Sequence, residues 1–147
     1  MLYARQWCLY PDDALQDALI DLALQTTDPR DPVAWLFQTV RCKALNQSRS
    51  EHRRTKYQNL AAEQREAWFI VDPACKSESS EVQAALDTLP ALEREIVIAR
   101  IWGDMSFEQI SQVVDRSLSF VYRRYRQAII ELEKKMDGRV NNLSKES

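Results

Sequence analysis

Two clusters of basic side chains carry the most specific chemistry in this 147-residue sequence. One comprises Arg41, Lys43, Arg49, Arg53, Arg54 and Lys56, a run whose only acid is Glu51. The other comprises Arg116, Arg123, Arg124 and Arg126. A guanidinium presents a rigid fork of donors that pairs with phosphate oxygens, or bidentately with the O6/N7 edge of guanine. The formal net charge is −2, so the basic character is local rather than global. Local patches, not total charge, set the electrostatic footprint on a polyanion. Acids gather instead near the N-terminus, at Asp12, Asp13, Asp17 and Asp21. Asp17 and Asp21 stand one helical turn apart and so share a face, which suits a basic protein partner.

Other chemistries find little support. Cys8, Cys42 and Cys75 are isolated, with no CxxC pair, so neither a disulfide framework nor a metal site is expected. The single histidine, His52, lies inside the first basic run and reads as a surface residue. No acid pair is marked for general acid–base work, and no glycine-rich phosphate loop occurs in a chain with two glycines. No catalytic residue, metal or cofactor is therefore expected. No apolar run reaches the length of a membrane span and no signal peptide opens the chain, so a cytoplasmic protein is expected.

The second cluster must be positioned by two helices. Ser106 with Gln109 forms a capping-box pattern, and Phe107, Ile110 and Val114 follow at helical spacing. Asp115, Arg116 and Ser117 interrupt the pattern, and Asp tolerates turn conformations. From Ser119 a second apolar stripe runs through Val121, Tyr125, Ala128, Ile129, Leu132 and Met136. Its other side carries Ser119, Tyr122, Arg123 and Arg126, flanked by Arg124 and Gln127. A short helix, a tight turn and a basic helix describe a helix-turn-helix, whose second helix enters the DNA major groove. The plainer reading is a helical hairpin with a solvated arginine face. Charge segregation weighs against it: Glu108 and Asp115 belong to the first helix, whereas the second has no acid before Glu131.

Upstream, Ser80 with Gln83 gives a second capping-box pattern for a helix bearing Val82, Ala85, Leu86 and Leu89. Pro90 begins another, with Leu92, Ile96, Val97 and Ile101 inward and Gly103 closing it. In the first half, Leu2–Leu9 reads as the tail of a helix. Pro11 then starts a helix that buries Leu15, Ala18, Leu19 and Leu22. After the loop Thr26–Asp31, Asp31 can cap and Pro32 can open a helix that buries Val33, Leu36, Phe37, Val40, Ala44 and Leu45. Trp35 and Phe37 suit core packing, with stacking on separated DNA strands as the alternative role. Leu60–Val71 extends this helical half, and Asp72–Ser80 has the composition of a linker.

The expected fold is all-α: two small helical domains joined by a flexible linker, the second a four-helix unit containing the helix-turn-helix. The boundaries are residues 1–68, a linker at 69–80, residues 81–137 and a disordered tail at 138–147.

With both motifs in view, the chain resembles a bacterial RNA polymerase sigma factor of the extracytoplasmic-function group, whose helical domains are called regions 2 and 4. The stretch LDTLPALEREIVIARIWGDMSFEQISQVVDRSLSFVYRRYRQAIIELE looks like region 4. In it Leu86, Leu89, Pro90, Arg94, Ile110, Val121, Arg124 and Ala128 occupy typical positions. PDDALQDALIDLAL and DPVAWLFQTVRCKALNQSRSEHRR look like region 2. Asp115 stands where the family usually has a turn glycine, Phe120 where threonine is common, Ile20 for a usual glutamine and Cys42 for a usual asparagine.

The resemblance implies a non-enzymatic specificity subunit whose partners are core RNA polymerase, promoter DNA and an anti-sigma factor of the kind many relatives have, and which is monomeric when free. Region 2 would dock on polymerase, with Asp17 and Asp21 as contacts, and engage the −10 element through Arg41, Arg49, Arg53 and Arg54. Region 4 would read the −35 element through Ser119, Tyr122, Arg123 and Arg126, with Arg124 as a phosphate or structural contact. The rival readings are a dimeric helix-turn-helix regulator that acts without polymerase, and a helical adaptor that binds proteins only.

Overall fold

The structure is a computed structural model that describes residues 2–58 and 79–143. Among these residues it is all-helical, with six α-helices, one 3₁₀ turn and no strand. The elements fall into two compact units, the first built on the N-terminal elements and the second on the C-terminal ones.

In the first unit α1 (Pro11–Ala23) packs against α2 (Pro32–Gln58), and a 3₁₀ turn (Ala4–Gln6) touches both. Pro11 occupies the first turn of α1, where a missing N–H costs nothing, and Asp12 and Asp13 complement the positive end of the helix dipole. Asp31 caps α2: its Oδ1 accepts from the Ala34 N–H at 2.9 Å. The core is lined by small residues, with Ala14 and Ala18 from α1 and Ala34, Val40 and Ala44 from α2 all buried.

That choice of residues corrects the expected faces. Leu19 is 46% exposed and Val33 44% exposed. Each neighbours a buried alanine, and one residue is a 100° step around a helix, so the alanine stripe turns the larger side chain outward. Leu15, Leu22, Leu36 and Leu45 are half-buried. The opening segment is a 3₁₀ turn rather than a helix tail. It buries Tyr3, whose ring meets Trp7 and Phe37 edge-on, both at 4.9 Å. The expected extension over 60–71 and nearly all of the expected linker lie outside the described residues.

In the C-terminal half α3 (Ser79–Asp87), α4 (Ala91–Ile101), α5 (Phe107–Val114) and α6 (Leu118–Leu143) follow one another closely, and α6 packs on both α3 and α4. Ser80 lies inside α3 rather than before it. Ala85, Leu86 and Leu89 are buried as expected. Pro90 is extended (φ −53°, ψ 147°) and caps α4. In α4 the consecutive residues Ile96, Val97, Ile98 and Ala99 are all buried, so this helix is covered on several sides. Ile101, expected inward, is 50% exposed because the last turn emerges from that cover.

The end of α4 also departs from expectation. The Gly103 N–H reaches the Ile98 carbonyl at 3.1 Å, but the left-handed residue is Asp104 at φ 48°. This reversal drives Met105 into the core, fully buried, with its N–H on the Ala99 carbonyl at 3.2 Å. Asp115, which closes α5, is the other left-handed position, at φ 53° and ψ 54°. Asp is among the few side chains that enter this region at modest cost. At the far end α6 continues to Leu143, beyond the point at 137 where the sequence reading ends it. Met136, assigned to the buried stripe, is 47% exposed.

Two outcomes follow from these placements. Asp115→Val should cost about 1–2 kcal/mol, since a β-branched residue resists positive φ, whereas Asp115→Gly should stay within about 0.5 kcal/mol of the parent. Urea midpoints measure both. Cys8 is buried, its thiol directed at the Ala4 carbonyl (3.5 Å), and burial pushes that thiol up from its ordinary value, whereas Cys42 is exposed. Peptide-level mass spectrometry after iodoacetamide should show Cys8 alkylated at least about tenfold more slowly than Cys42.

Candidate nucleic-acid interface

The helix-turn-helix is set by caps at each joint. Ser106 Oγ accepts from the Gln109 N–H at 3.1 Å, and the Ser106 N–H donates to Gln109 Oε1 at 2.9 Å, completing the capping box at the start of α5. The turn is Asp115–Ser117, the stretch expected from sequence, and α6 begins one residue earlier than expected, at Leu118. The Arg116 N–H returns to the Ser111 carbonyl at 3.1 Å. Ser117 receives α6: its carbonyl accepts from the Val121 N–H at 3.0 Å and its Oγ from the Phe120 N–H at 3.4 Å. Every link is a hydrogen bond to backbone, so the angle between the two helices does not rest on long side chains.

Packing then divides the faces of α6. Val121 and Ala128 are completely buried, and Tyr125, Ile129 and Leu132 are half-buried. Ser119, Tyr122, Arg123 and Arg126 are exposed. Tyr122, Arg123 and Arg126 line one open groove with Gln127, Ile130, Glu131 and Lys134. The Tyr122 ring stands edge-on to Phe107 at 5.3 Å, which also meets Tyr125 at 5.2 Å. The Arg100 guanidinium lies 4.9 Å over the same Phe107 ring while donating to the Met105 carbonyl at 2.7 Å. Aromatic pairs and cation–π contacts of this kind restrict the rotamers of the exposed partner.

Arg124 behaves differently from its neighbours. It donates to Glu93 Oε1 at 3.1 Å, and its guanidinium lies 5.2 Å over the Phe120 ring. Glu93 is almost wholly buried on α4. The signal for this was present in the sequence: 124 lies three residues after Val121 and four before Ala128, on the buried stripe itself. Glu93, Arg100, Phe107 and Phe120 were not singled out as supports of the arginine face. No sequence signal distinguished Glu93 from the other acids around it.

On α2 the first basic cluster splits similarly. Arg49, Arg53 and Arg54 are exposed, with Arg53 Nε on the Arg49 carbonyl at 3.4 Å. Arg41 is half-buried, its guanidinium 5.8 Å over the Trp7 ring. Asp17 is exposed on α1, whereas Asp21 pairs with Lys43 across the hairpin at 2.7 Å. That hydrogen bond is the main cause holding Lys43 above its ordinary value. The pair is open to solvent and adds little stability. Trp35 and Phe37 are half-buried, Phe37 within the Tyr3 cluster.

Among the described residues no group of three or more His, Cys, Asp or Glu side chains is placed to hold a metal, and no helix is long and apolar enough to cross a membrane. Residues 79–132 match the family Sigma-70, region 4, a segment that begins where α3 begins. The fold is similar to that of the co-crystal structure of the sigma factor RpoE in complex with the anti-sigma factor NepR from Bartonella quintana. The TM-score is 0.66 at 19% identity, covering 92% of this chain and 88% of that one. Comparison with curated proteins gave no significant match. The helix-turn-helix of α5 and α6 thus lies within the segment that matches sigma-70 region 4. The fold is shared with that structure along nearly the whole length of the chain.

If Arg123 or Arg126 reads a guanine, its replacement by alanine should cost about 1–3 kcal/mol in binding to the cognate −35 duplex. Titration against a scrambled duplex checks this, and unchanged discrimination in both variants would remove the two residues from the interface.

Proposed function

We propose that this protein directs core RNA polymerase to specific promoters, its N-terminal unit binding polymerase and engaging the −10 element while its C-terminal unit reads the −35 element. The observation that carries this reading is the exposed row Ser119, Tyr122, Arg123 and Arg126 on the second helix of a region 4 helix-turn-helix. A helix whose apolar side is spent on its own core and whose opposite side bears arginines suits a groove lined by phosphates. In the N-terminal unit, exposed Arg49, Arg53 and Arg54 supply a second basic surface for the −10 region. Arg41, half-buried over Trp7, contributes at its edge. Asp17 is the acid best disposed toward a basic coiled coil on polymerase, and Asp21, tied to Lys43, supports it from the same face. Such a role is non-catalytic and needs no cofactor. RpoE of Bartonella quintana was crystallised with an anti-sigma factor, and the shared fold supports an anti-sigma partner here too.

In vitro transcription with core polymerase on a promoter library tests the proposal, with defined start sites appearing only when the protein is added. Transcripts identical with and without it would refute the reading. Asp17→Arg should weaken co-elution with core polymerase on gel filtration while leaving the helical circular dichroism spectrum unchanged, and undiminished co-elution would take Asp17 out of the docking surface.

A further inference from the structure

The structure assigns Arg124 to positioning rather than to DNA contact: its guanidinium is held by the buried Glu93 carboxylate and fixes the rotation of α6, so that Arg123 and Arg126 face outward. This rests on the reading of α6 as a duplex-reading helix and adds to it the device that orients the helix.

Three observations carry the assignment. Glu93 sits in α4 with its side chain only 5% exposed, and its Oε1 receives Arg124 Nη1 at 3.1 Å. Its Oε2 is buried with no hydrogen-bond partner. A buried carboxylate left half satisfied depends heavily on the cation it does have. One side of the guanidinium also lies over Phe120, at 5.2 Å, from one turn earlier on α6, while the Arg124 side chain as a whole stays 41% exposed. Arg123 lies 6.0 Å from the same ring, so Phe120 stands between an arginine committed to α4 and one facing the groove.

The geometry explains why a charge belongs on the buried stripe. Apolar contacts at Val121 and Ala128 choose the inward face of α6 but, being non-directional, tolerate small rotations about the helix axis. A directional pair between α4 and α6 does not, because guanidinium–carboxylate geometry fixes both partners. Even a fraction of the 100° step between residues would swing Arg123 and Arg126 relative to a docked groove. Arg124 then neutralises Glu93, not phosphate.

The two roles predict opposite signs, which makes them separable. As a phosphate contact, Arg124 would be restrained by Glu93, so Glu93→Gln would tighten binding, and Arg124→Gln would reduce the slope of log K against log salt by about 1. As a positioning residue, Glu93→Gln and Arg124→Gln should each weaken binding of the full-length protein to the −35 duplex, by roughly tenfold. The salt slope should remain at the parent value, and the double variant should bind no worse than the weaker single one. Arg123→Gln and Arg126→Gln serve as controls that do lower the slope.

A measurement on the unaltered protein guards against variants that fail to fold. Phenylglyoxal should modify Arg123 and Arg126 readily in the free protein and slowly with duplex bound, while Arg124 reacts slowly in both states. DNA-dependent protection of Arg124, tighter binding by Glu93→Gln, or a lowered slope in Arg124→Gln would each overturn the assignment. If the parent protein does not distinguish cognate from scrambled duplex, the duplex-reading role itself fails. The stability cycle between Glu93 and Arg124 then reports separately, by additive or non-additive denaturation midpoints, whether the pair fixes α6.

Discussion

The second unit depends on how α6 divides itself. Val121 and Ala128 are completely buried, and the positions between and beyond them supply half-buried Tyr125, Ile129 and Leu132. Because side chains recur on one helical face every three or four residues, committing these positions to the core determines what remains outside. What remains is Ser119, Tyr122, Arg123 and Arg126, and the chemistry of the surface follows from the packing of the interior. The same logic runs through the first unit. There the alanine stripes of α1 and α2 bury the hairpin, and Arg49, Arg53 and Arg54 are left in solvent along the last turns of α2.

Around α6 the unit spends its polar groups on fixing direction. The Ser106–Gln109 capping box sets where α5 starts, Asp115 in a left-handed conformation sets where it stops, and Ser117 hands the chain to α6. Asp104 performs a second reversal just before α5, turning Met105 into the core. Both reversals use aspartate where glycine would serve with less strain, so α5 is framed by two conformationally restricted residues. A stiff frame of this sort suits a helix that must meet a rigid duplex without rearranging.

Much of this was legible from spacing alone. The capping box, the three-residue turn, the Asp31 cap and the inward positions of Ala85, Leu86, Leu89, Ile96, Val97, Ile110, Val121 and Ala128 follow from periodicity and cap chemistry, which are local. The misreadings share a cause. Leu19 and Val33 read as inward because they are large and apolar, yet a neighbouring alanine takes the buried place at each, and Ile101 stands where α4 ends. Size does not decide burial when a small neighbour permits closer approach of the backbones. Long-range pairs were hidden for a different reason. Glu93 with Arg124, Lys43 with Asp21, and Arg41 over Trp7 join residues far apart in sequence, and no period links them. Arg124, the second arginine of α6, therefore resembles its neighbours in sequence, and only the fold sets it against α4.

The account stands on the N-terminal end of α6 lying in a major groove at the upstream promoter element. The most direct measurement places an iron-chelate cleavage reagent at position 119, through Ser119→Cys in a protein whose native cysteines have been replaced, and maps the cuts in the polymerase–promoter complex. Cuts confined to a few adjacent nucleotides near −35, on both strands across one groove, are the result expected. Cleavage that is absent there, or spread without position along the DNA, would contradict the role given to this helix.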